Sequence, residues 1–158
     1  MVTKFWKNFI KLFSFVALSV SSVLLFPFFF PYDSNGYLAA YTDQQQLLAS
    51  TPSPKIIIIG GSNAAFGLDG EKIGKETGYH VVNTALQAGL GLEFMMKATK
   101  PFVRSGDIVL ISPEYEQFGP AYTGGEWIGM LYVVDPHSIK YITSLRQVAK
   151  FLGQLLTI

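Results

Sequence analysis

Cysteine is absent from the 158 residues, and histidine occurs only twice, at His80 and His137. The absence of cysteine excludes disulfides, thiolate nucleophiles and cysteine-ligated metal sites. Two histidines far apart in the sequence are too few for a histidine-rich metal site. We therefore predict neither a bound metal nor any other cofactor.

The chain also lacks a large net charge. It has 12 Lys and Arg residues and 11 Asp and Glu residues, which give a formal net charge of +1. A nucleic-acid-binding domain needs a basic patch that competes for phosphates. The basic residues are scattered apart from Lys4, Lys7 and Lys11. Nucleic acid is therefore not an expected partner.

One stretch of the chain, residues 12–32, has no charged residue at all. A helix needs about 20 mostly apolar residues to cross a bilayer. Three lysines precede this stretch and Asp33 follows it, so the positive-inside rule places residues 1–11 in the cytoplasm. We predict a single-pass membrane protein anchored in the lipid bilayer by residues 12–32, with Trp6 and Tyr32 at the interfaces. Its C-terminal domain would then be periplasmic or extracellular.

A cleaved signal peptide and a buried helix of a soluble domain are the alternatives to an anchor. Signal peptides have apolar cores of about 7–15 residues and a small-residue cleavage site. The core here is longer and ends in Phe-Pro-Phe-Phe-Phe-Pro, which lacks such a site. An uncleaved anchor is favoured, and Pro27 should kink or end its helix.

Residues 33–53 predict a linker followed by a short helix. Asn35 and Gly36 form a turn signal. Thr42 and Gln45 have the spacing of a capping box, and the Thr-Pro-Ser-Pro run at 51–54 should end the helix.

Three short apolar runs, at 55–59, 80–83 and 107–111, predict β-strands. Continuous β-branched runs are typical of parallel strands covered on both faces, so the first and third should be buried. Helical patterns separate the strands, one from Asp69 to a stop at Gly78 and one over 92–99. This alternation predicts an α/β fold with a parallel, doubly wound sheet.

Residues 138–156 predict a C-terminal amphipathic helix. Its expected apolar face consists of Ile139, Ile142, Leu145, Ala149, Leu152 and Leu156. Because three strands make a thin sheet and no fourth follows, we expect residues 54–158 to be the front part of a longer, truncated α/β domain.

Polar or glycine-rich loops follow all three predicted strands. They are Gly60-Gly61-Ser62-Asn63, the loop at 87–91, and the loop at 112–116. Because parallel strands present their carboxyl ends at one edge, the loops should converge there. A serine at that edge exposes its hydroxyl, and adjacent glycines free backbone N–H groups for an oxyanion.

Each of these residues also has a purely structural explanation. Ser62 can be a helix N-cap, and Gly89 and Gly91 a tight turn. The acids Glu114 and Glu116 can be solvated loop charges, and Asn83 can close a strand end through an Asx turn. Phosphate-binding loops are excluded by spacing, because neither a Walker A pattern nor a complete dinucleotide fingerprint is present.

Three ordered blocks, together covering roughly residues 54–118, resemble the front half of membrane-anchored SGNH/GDSL-type hydrolase-like proteins. The blocks read Ile-Ile-Ile-Ile-Gly-Gly-Ser-Asn, Val-Val-Asn-Thr-Ala-Leu-Gln-Ala-Gly-Leu-Gly, and Gly-Asp-Ile-Val-Leu-Ile-Ser-Pro-Glu-Tyr-Glu. They also resemble the DltD-like proteins of cell-envelope acylation. The resemblance implies a flavodoxin-like three-layer sandwich and ester chemistry on an acylated polysaccharide or other envelope polymer, with a membrane acyltransferase as a further partner.

The resemblance also implies roles for particular residues. Ser62 falls on the nucleophile, and its own N–H is one oxyanion donor. Gly89, or Ala88 in the neighbouring register, falls on the second donor. Candidate residues for substrate contact in the loops are Asn63, Gln87, Glu114 and Glu116. The third block of the family usually offers an asparagine, and an anionic glutamate there cannot donate to an oxyanion.

The Asp-x-x-His block that supplies the general base in the resembled family is missing from this chain. Asp135-Pro136-His137 has the wrong spacing and predicts a turn and cap, and His80 starts a strand at the opposite end of the sheet. A serine without a base is a poor nucleophile. We expect an esterase or O-acyltransferase homologue that is inactive by itself. The alternative is a non-catalytic, membrane-tethered module that binds an envelope polymer or a partner membrane protein.

Overall fold

The computed structural model describes residues 2–30, 36–118, 124–142 and 144–155. The predictions at Tyr32, Asp33, Asn35 and Leu156 lie outside these residues. Described helices and strands, in chain order, are α1 (Val2–Phe29), α2 (Ala40–Ser50), β1 (Lys55–Gly60), α3 (Ser62–Gly67), α4 (Gly70–Thr77), β2 (His80–Asn83), α5 (Leu92–Thr99), β3 (Ile108–Ser112), α6 (Ile128–Val134) and α7 (Leu145–Leu155). Short 3-10 turns lie at Tyr37–Ala39, Ala88–Leu90, Lys100–Phe102, Tyr115–Phe118 and Pro136–Tyr141.

Helix α1 is long and apolar enough to span a membrane over Lys4–Phe29. It starts about ten residues before the predicted anchor, because the lysine-bearing segment is also favourable for a helix. Only 6% of its most apolar stretch is buried, which sets it apart from a core helix of a soluble domain. Pro27 lies in the last turn, and the helix ends at Phe29.

Helix α2 confirms the predicted short helix but not its capping box. Its N-cap is Ala39, which makes no side-chain cap bond, and the Thr42 hydroxyl instead donates to the Ala39 carbonyl. The capping-box prediction is wrong because the preceding 3-10 turn at Tyr37–Ala39 already leads into the helix. The predicted stop is confirmed, because Thr51 is extended ahead of Pro52.

The three strands form one parallel sheet, as the alternation predicts, and their order in the sheet is β2-β1-β3. The local signals of α4 are confirmed too. The Asp69 side chain accepts a hydrogen bond from the Lys72 N–H, and Gly78 ends the helix with a φ of 77°.

Both faces of β1 are covered. Ile57 and Ile59 pack in a core with residues of α2, α5, α6 and α7. On the other face, Ile56 and Ile58 pack with residues of α3 and α4. The crossover from β1 to β2 and the crossover from β2 to β3 run in opposite directions across the sheet, and right-handed crossovers then place helices on both faces.

Strand β3 forms where predicted, but the expectation that it is buried is wrong. Its apolar residues Ile108, Val109, Leu110 and Ile111 are 47%, 37%, 43% and 44% exposed. The physical reason is position: β3 pairs with β1 on one side, and within the described chain no strand lies on its other side.

The predicted C-terminal apolar face is wrong for Ile139, Leu145 and Leu152, which are exposed, whereas Ile142 packs against the core. A 3-10 turn occupies Pro136–Tyr141, and α7 starts only at Leu145, which is 89% exposed. The side chains that α7 buries are Gln147 and Phe151, and the Phe151 ring lies edge-on to Tyr132 with centroids 5.1 Å apart. The break before α7 shifts the helical phase and so selects a different face.

Candidate functional site

Ser62 is the first residue of α3, directly after the end of β1. Its hydroxyl donates a hydrogen bond to Glu114 Oε1 at 3.0 Å. The backbone N–H of Asn63 points to the same oxygen at 3.3 Å. Because Glu114 follows β3, the loops after β1 and β3 meet at the carboxyl edge of the sheet.

Gly61 allows this meeting of loops. A Cβ at this position would collide with Glu114 Oε1 and would lie 2.8 Å from the Ala88 Cβ. The second loop, which contains Ala88, therefore also lies beside Gly61. The Gln117 side chain connects this second loop to the third loop, which contains Glu114. Its amide donates to the Ala88 carbonyl at 3.4 Å, and its oxygen accepts from the Glu114 N–H at 2.8 Å. All three loops converge on one edge.

Gly89 is turned toward a different neighbour. A Cβ there would collide with Trp127 Cδ1, and its carbonyl accepts a hydrogen bond from the Gly125 N–H at 2.8 Å. Ala88, not Gly89, is the residue of this loop that faces Gly61. An oxyanion role for Gly89 stays a prediction, and its packing against Trp127 fully accounts for a glycine.

Gln87 and Asn83 hold the second loop in shape. The Gln87 carbonyl accepts from the Leu90 N–H at 3.0 Å and so closes the 3-10 turn. The Asn83 side chain accepts from the Ala85 N–H at 3.0 Å, which is the predicted Asx turn, and donates to the Ala64 carbonyl at 3.1 Å.

An open pocket of about 480 Å³ lies over Ser62. Its lining residues are Ser62, Asn63, Phe66, Glu114, Tyr115 and Glu116. Four of these are predicted site residues, whereas Gln87 and Gly89 are not among them. The sequence reasoning missed the two aromatic residues, although Phe66 and Tyr115 are 78% and 92% exposed. The sequence did contain a signal for them, because Phe66 lies shortly after Ser62 and Tyr115 lies next to Glu114.

Glu114 is the feature that defines the chemistry of the site. It is half-buried and bonded to Ser62, so it is not the freely solvated loop acid of the structural explanation. Its distance to Ser62 Oγ is within the range required of a general base, about 2.6–3.2 Å. Glu114 Oε1 also accepts the hydrogen bond of the Asn63 N–H, so this donor is not available to an oxyanion.

Tyr37 lies close to this carboxylate. Burial, and after it the charge of Glu114, raise the pKa of the Tyr37 hydroxyl. The hydroxyl donates to the Leu86 carbonyl at 2.6 Å, and the ring stacks on Phe66 with centroids 5.6 Å apart. Phe66 therefore contacts Tyr37 and also lines the Ser62 pocket.

Neither histidine lines the Ser62 pocket. His80 pairs with Lys55 at the opposite end of the sheet, as predicted. The N–H of His137 donates to the Asp135 side chain at 3.0 Å, which confirms the predicted turn and cap. Within the described ranges no cluster of three or more His, Asp or Glu residues could hold a metal ion.

Comparison with known proteins gave no match: no protein-family model, no curated protein and no solved structure is significantly similar to this chain. The fold therefore defines the chain as an α/β protein. It has a three-stranded parallel sheet and an N-terminal helix that is long and apolar enough to span a membrane.

Proposed function

We propose that the chain is an SGNH-like esterase or O-acyltransferase homologue in which Ser62 is the nucleophile. Its substrate class would be an acylated cell-envelope polymer, such as an O-acylated polysaccharide. The observation that supports this proposal is the Ser62 hydroxyl, bonded to a carboxylate in an open pocket where three loops meet. A flavodoxin-like three-layer sandwich is part of the same proposal, supported by a parallel sheet with cores on both faces.

The proposed reaction starts with attack of Ser62 Oγ on the acyl carbon of an ester. The proton of the hydroxyl goes to a base, and then to the leaving alcohol as the ester C–O bond breaks. Water releases the acyl group from Ser62 in an esterase, and a second alcohol accepts it in a transferase. Backbone N–H groups of Ser62 and Gly89 are the proposed oxyanion donors, as the resemblance implies.

Among the residues that the structure describes, no imidazole lines the Ser62 pocket, and the hydroxyl is bonded to Glu114. We therefore propose that the chain is inactive by itself, and that an Asp-x-x-His segment outside it supplies the base. Strand β3 supports this proposal, because within the described ranges its outer edge is unpaired and its apolar side chains are exposed, and such a strand is where a further strand-helix unit would pack.

Membrane attachment belongs to the proposal as well. Residues 1–11 would be cytoplasmic, residues 12–32 would cross the bilayer, and residues 33–53 would link the anchor to an outer domain at 54–158. Helix α1 and the three lysines that precede its uncharged part support this arrangement. A membrane acyltransferase is the proposed protein partner.

The test is acetate release from O-acetylated polysaccharide by membranes of source cells that carry the wild-type chain, Ser62→Ala or Ser50→Ala. Ser50 is an exposed serine at the end of α2 and serves as the matched control. We expect Ser62→Ala to reduce release to the background of membranes lacking the chain, and Ser50→Ala to leave it unchanged. Equal release from Ser62→Ala and wild-type membranes would refute the catalytic role.

A non-catalytic, membrane-tethered binding module is the second candidate function. The exposed rings of Phe66 and Tyr115 beside Glu114 and Glu116 favour it, because exposed aromatic groups mark interaction surfaces. Under this alternative Ser62→Ala changes nothing, whereas Tyr115→Ala weakens co-sedimentation of the chain with the envelope polymer.

A further inference from the structure

A second cavity, separate from the Ser62 pocket, lies between the 3-10 turn at Tyr37–Ala39 and α6. Its volume is about 390 Å³, within the range of roughly 300–1,000 Å³ that is usual for small-molecule sites. It is lined by Gly36, Tyr37, Leu38, Trp127, Met130, Val133 and Val134. These side chains are apolar or aromatic, and none carries a charge, so the cavity suits a hydrocarbon ligand.

The cavity lies beside the outer end of α1. The Tyr132 hydroxyl, on α6, donates to the Leu24 carbonyl of α1. The Tyr132 ring also lies edge-on to Phe28, with centroids 6.4 Å apart. One wall of the cavity, α6, is therefore packed on the candidate membrane span, and the other wall follows that span after a short connection. Under the proposed membrane attachment, this packing places the cavity beside the candidate membrane span.

The cavity and the Ser62 pocket have no lining residue in common, but a ring contact joins a residue of one to a residue of the other. Tyr37 lines the cavity and stacks on Phe66, which lines the Ser62 pocket. Trp127 lines the cavity and packs against Gly89. The stacked pair of Tyr37 and Phe66 thus has one ring in the lining of each pocket.

From the contacts that join the cavity walls to α1 and to Phe66, we infer that the cavity binds the acyl chain of a membrane lipid or lipid-like ester. The inference rests on the proposed membrane attachment and ester chemistry, because these fix what lies on either side of the cavity. The carbonyl end of the chain would lie toward Phe66 and Ser62, and its methyl end toward α1. In the transferase reaction the acyl donor would then be a long-chain, membrane-derived ester and the envelope polymer the acceptor, with Tyr37 and Trp127 as the residues that select chain length.

The test uses the full chain in phosphatidylcholine nanodiscs and the fluorescence of Trp127. The sequence contains two tryptophans, and the Trp6→Phe variant leaves Trp127 as the only one. The probe is dodecanoic acid brominated at its terminal carbon, a quencher of tryptophan. We expect saturable quenching that unbrominated dodecanoic acid reverses, and no saturable quenching by bromobutyric acid.

Filling the cavity separates a specific site from quenching by probe dissolved in the bilayer. In the Trp6→Phe background, Val133→Phe should weaken the apparent affinity at least tenfold. Met130→Phe, at a residue 48% exposed, gives a second blocking variant that the fold tolerates more readily. The matched control is Val148→Phe on α7, outside the cavity, and it should bind like the parent. Circular dichroism should be the same for all variants.

Quenching that never saturates, or that is equal in Val133→Phe, Met130→Phe and Val148→Phe, would overturn the inference. So would a dimer in the nanodisc that Val133→Phe dissociates, because a second copy would then fill the cavity. Adding Ser62→Ala to the Trp6→Phe parent should leave probe binding unchanged. Loss of acetate release therefore reports on the proposed chemistry, whereas loss of saturable quenching reports on the cavity.

Discussion

Strands β1 and β3 are hydrogen-bonded neighbours of similar composition in opposite surroundings. The four isoleucines of β1 are 0–8% exposed, whereas the four apolar residues of β3 are 37–47% exposed. The pairing register sets Ile56 beside Ile108 and Ile59 beside Ile111, so each pair points to the same face. Composition thus shows that both strands are suited to burial, but only the arrangement of neighbouring elements decides which is covered.

The largest effect that follows from this comparison is at Ile59. Its side chain is 2% exposed in the main core, so Ile59→Ala removes buried methyl groups and leaves a cavity. We expect a loss of about 2–5 kcal/mol in the free energy of unfolding. Chemical denaturation of the purified chain in detergent measures it. A loss below about 1 kcal/mol would mean that β1 is not buried as described.

An intermediate effect is expected at Asp107, whose carboxylate ties the start of β3 to β1. It accepts hydrogen bonds from the Lys55 N–H at 3.0 Å and the Arg104 N–H at 2.8 Å, and pairs with the buried Lys55 ammonium. Burial acts to raise the pKa of Asp107, but the hydrogen bonds and the Lys55 charge outweigh it and lower that pKa below its ordinary value of 3.8. Asp107→Asn should cost about 1.5–3 kcal/mol at neutral pH.

The same carboxylate predicts the pH dependence of stability. Because its pKa is lowered in the folded state, its contribution is present above about pH 3.8 and is lost as the pH falls through the folded-state value. The unfolding free energy of the wild type should therefore fall more steeply below pH 4 than that of Asp107→Asn. Parallel curves for the two proteins in this range would contradict the pairing.

The smallest effect is expected at Ile111, the register partner of Ile59. It is 44% exposed, so Ile111→Ala should change the unfolding free energy of the purified chain by less than about 1 kcal/mol. If a further strand-helix unit covers β3 in source-cell membranes, the same substitution should lower Ser62-dependent acetate release there. Equal losses for Ile59→Ala and Ile111→Ala in the purified chain would break the comparison.

The sequence predicted the elements that local signals specify. Strand positions, the Asp69 cap and the Gly78 stop follow from residues within a few positions of each other, and the parallel pairing follows from the alternation of strands and helices. The predictions that failed depend on neighbours distant in sequence: whether β3 is covered, and which face of α7 packs. A 3-10 turn ahead of a helix was enough to overturn the capping box at Thr42.

The candidate site likewise has features that could be predicted from the sequence and features that could not. Convergence of the three loops follows from parallel topology alone, and was predictable. The hydrogen bond between Ser62 and Glu114 was not, because it depends on the β1–β3 register that sets Gly60 beside Ser112. The apolar cavity was not predictable either, since α1, the Tyr37–Ala39 turn and α6 come together only in the folded chain.

The most direct test of Ser62 as a nucleophile is the mass of one peptide after treatment of source-cell membranes with a fluorophosphonate. Trypsin releases residues 56–72, in which Ser62 is the only hydroxyl-bearing residue. If Ser62 is the nucleophile, this peptide carries a phosphonyl adduct that is absent after Ser62→Ala. An unmodified peptide, in membranes whose other serine hydrolases are labelled, would contradict it.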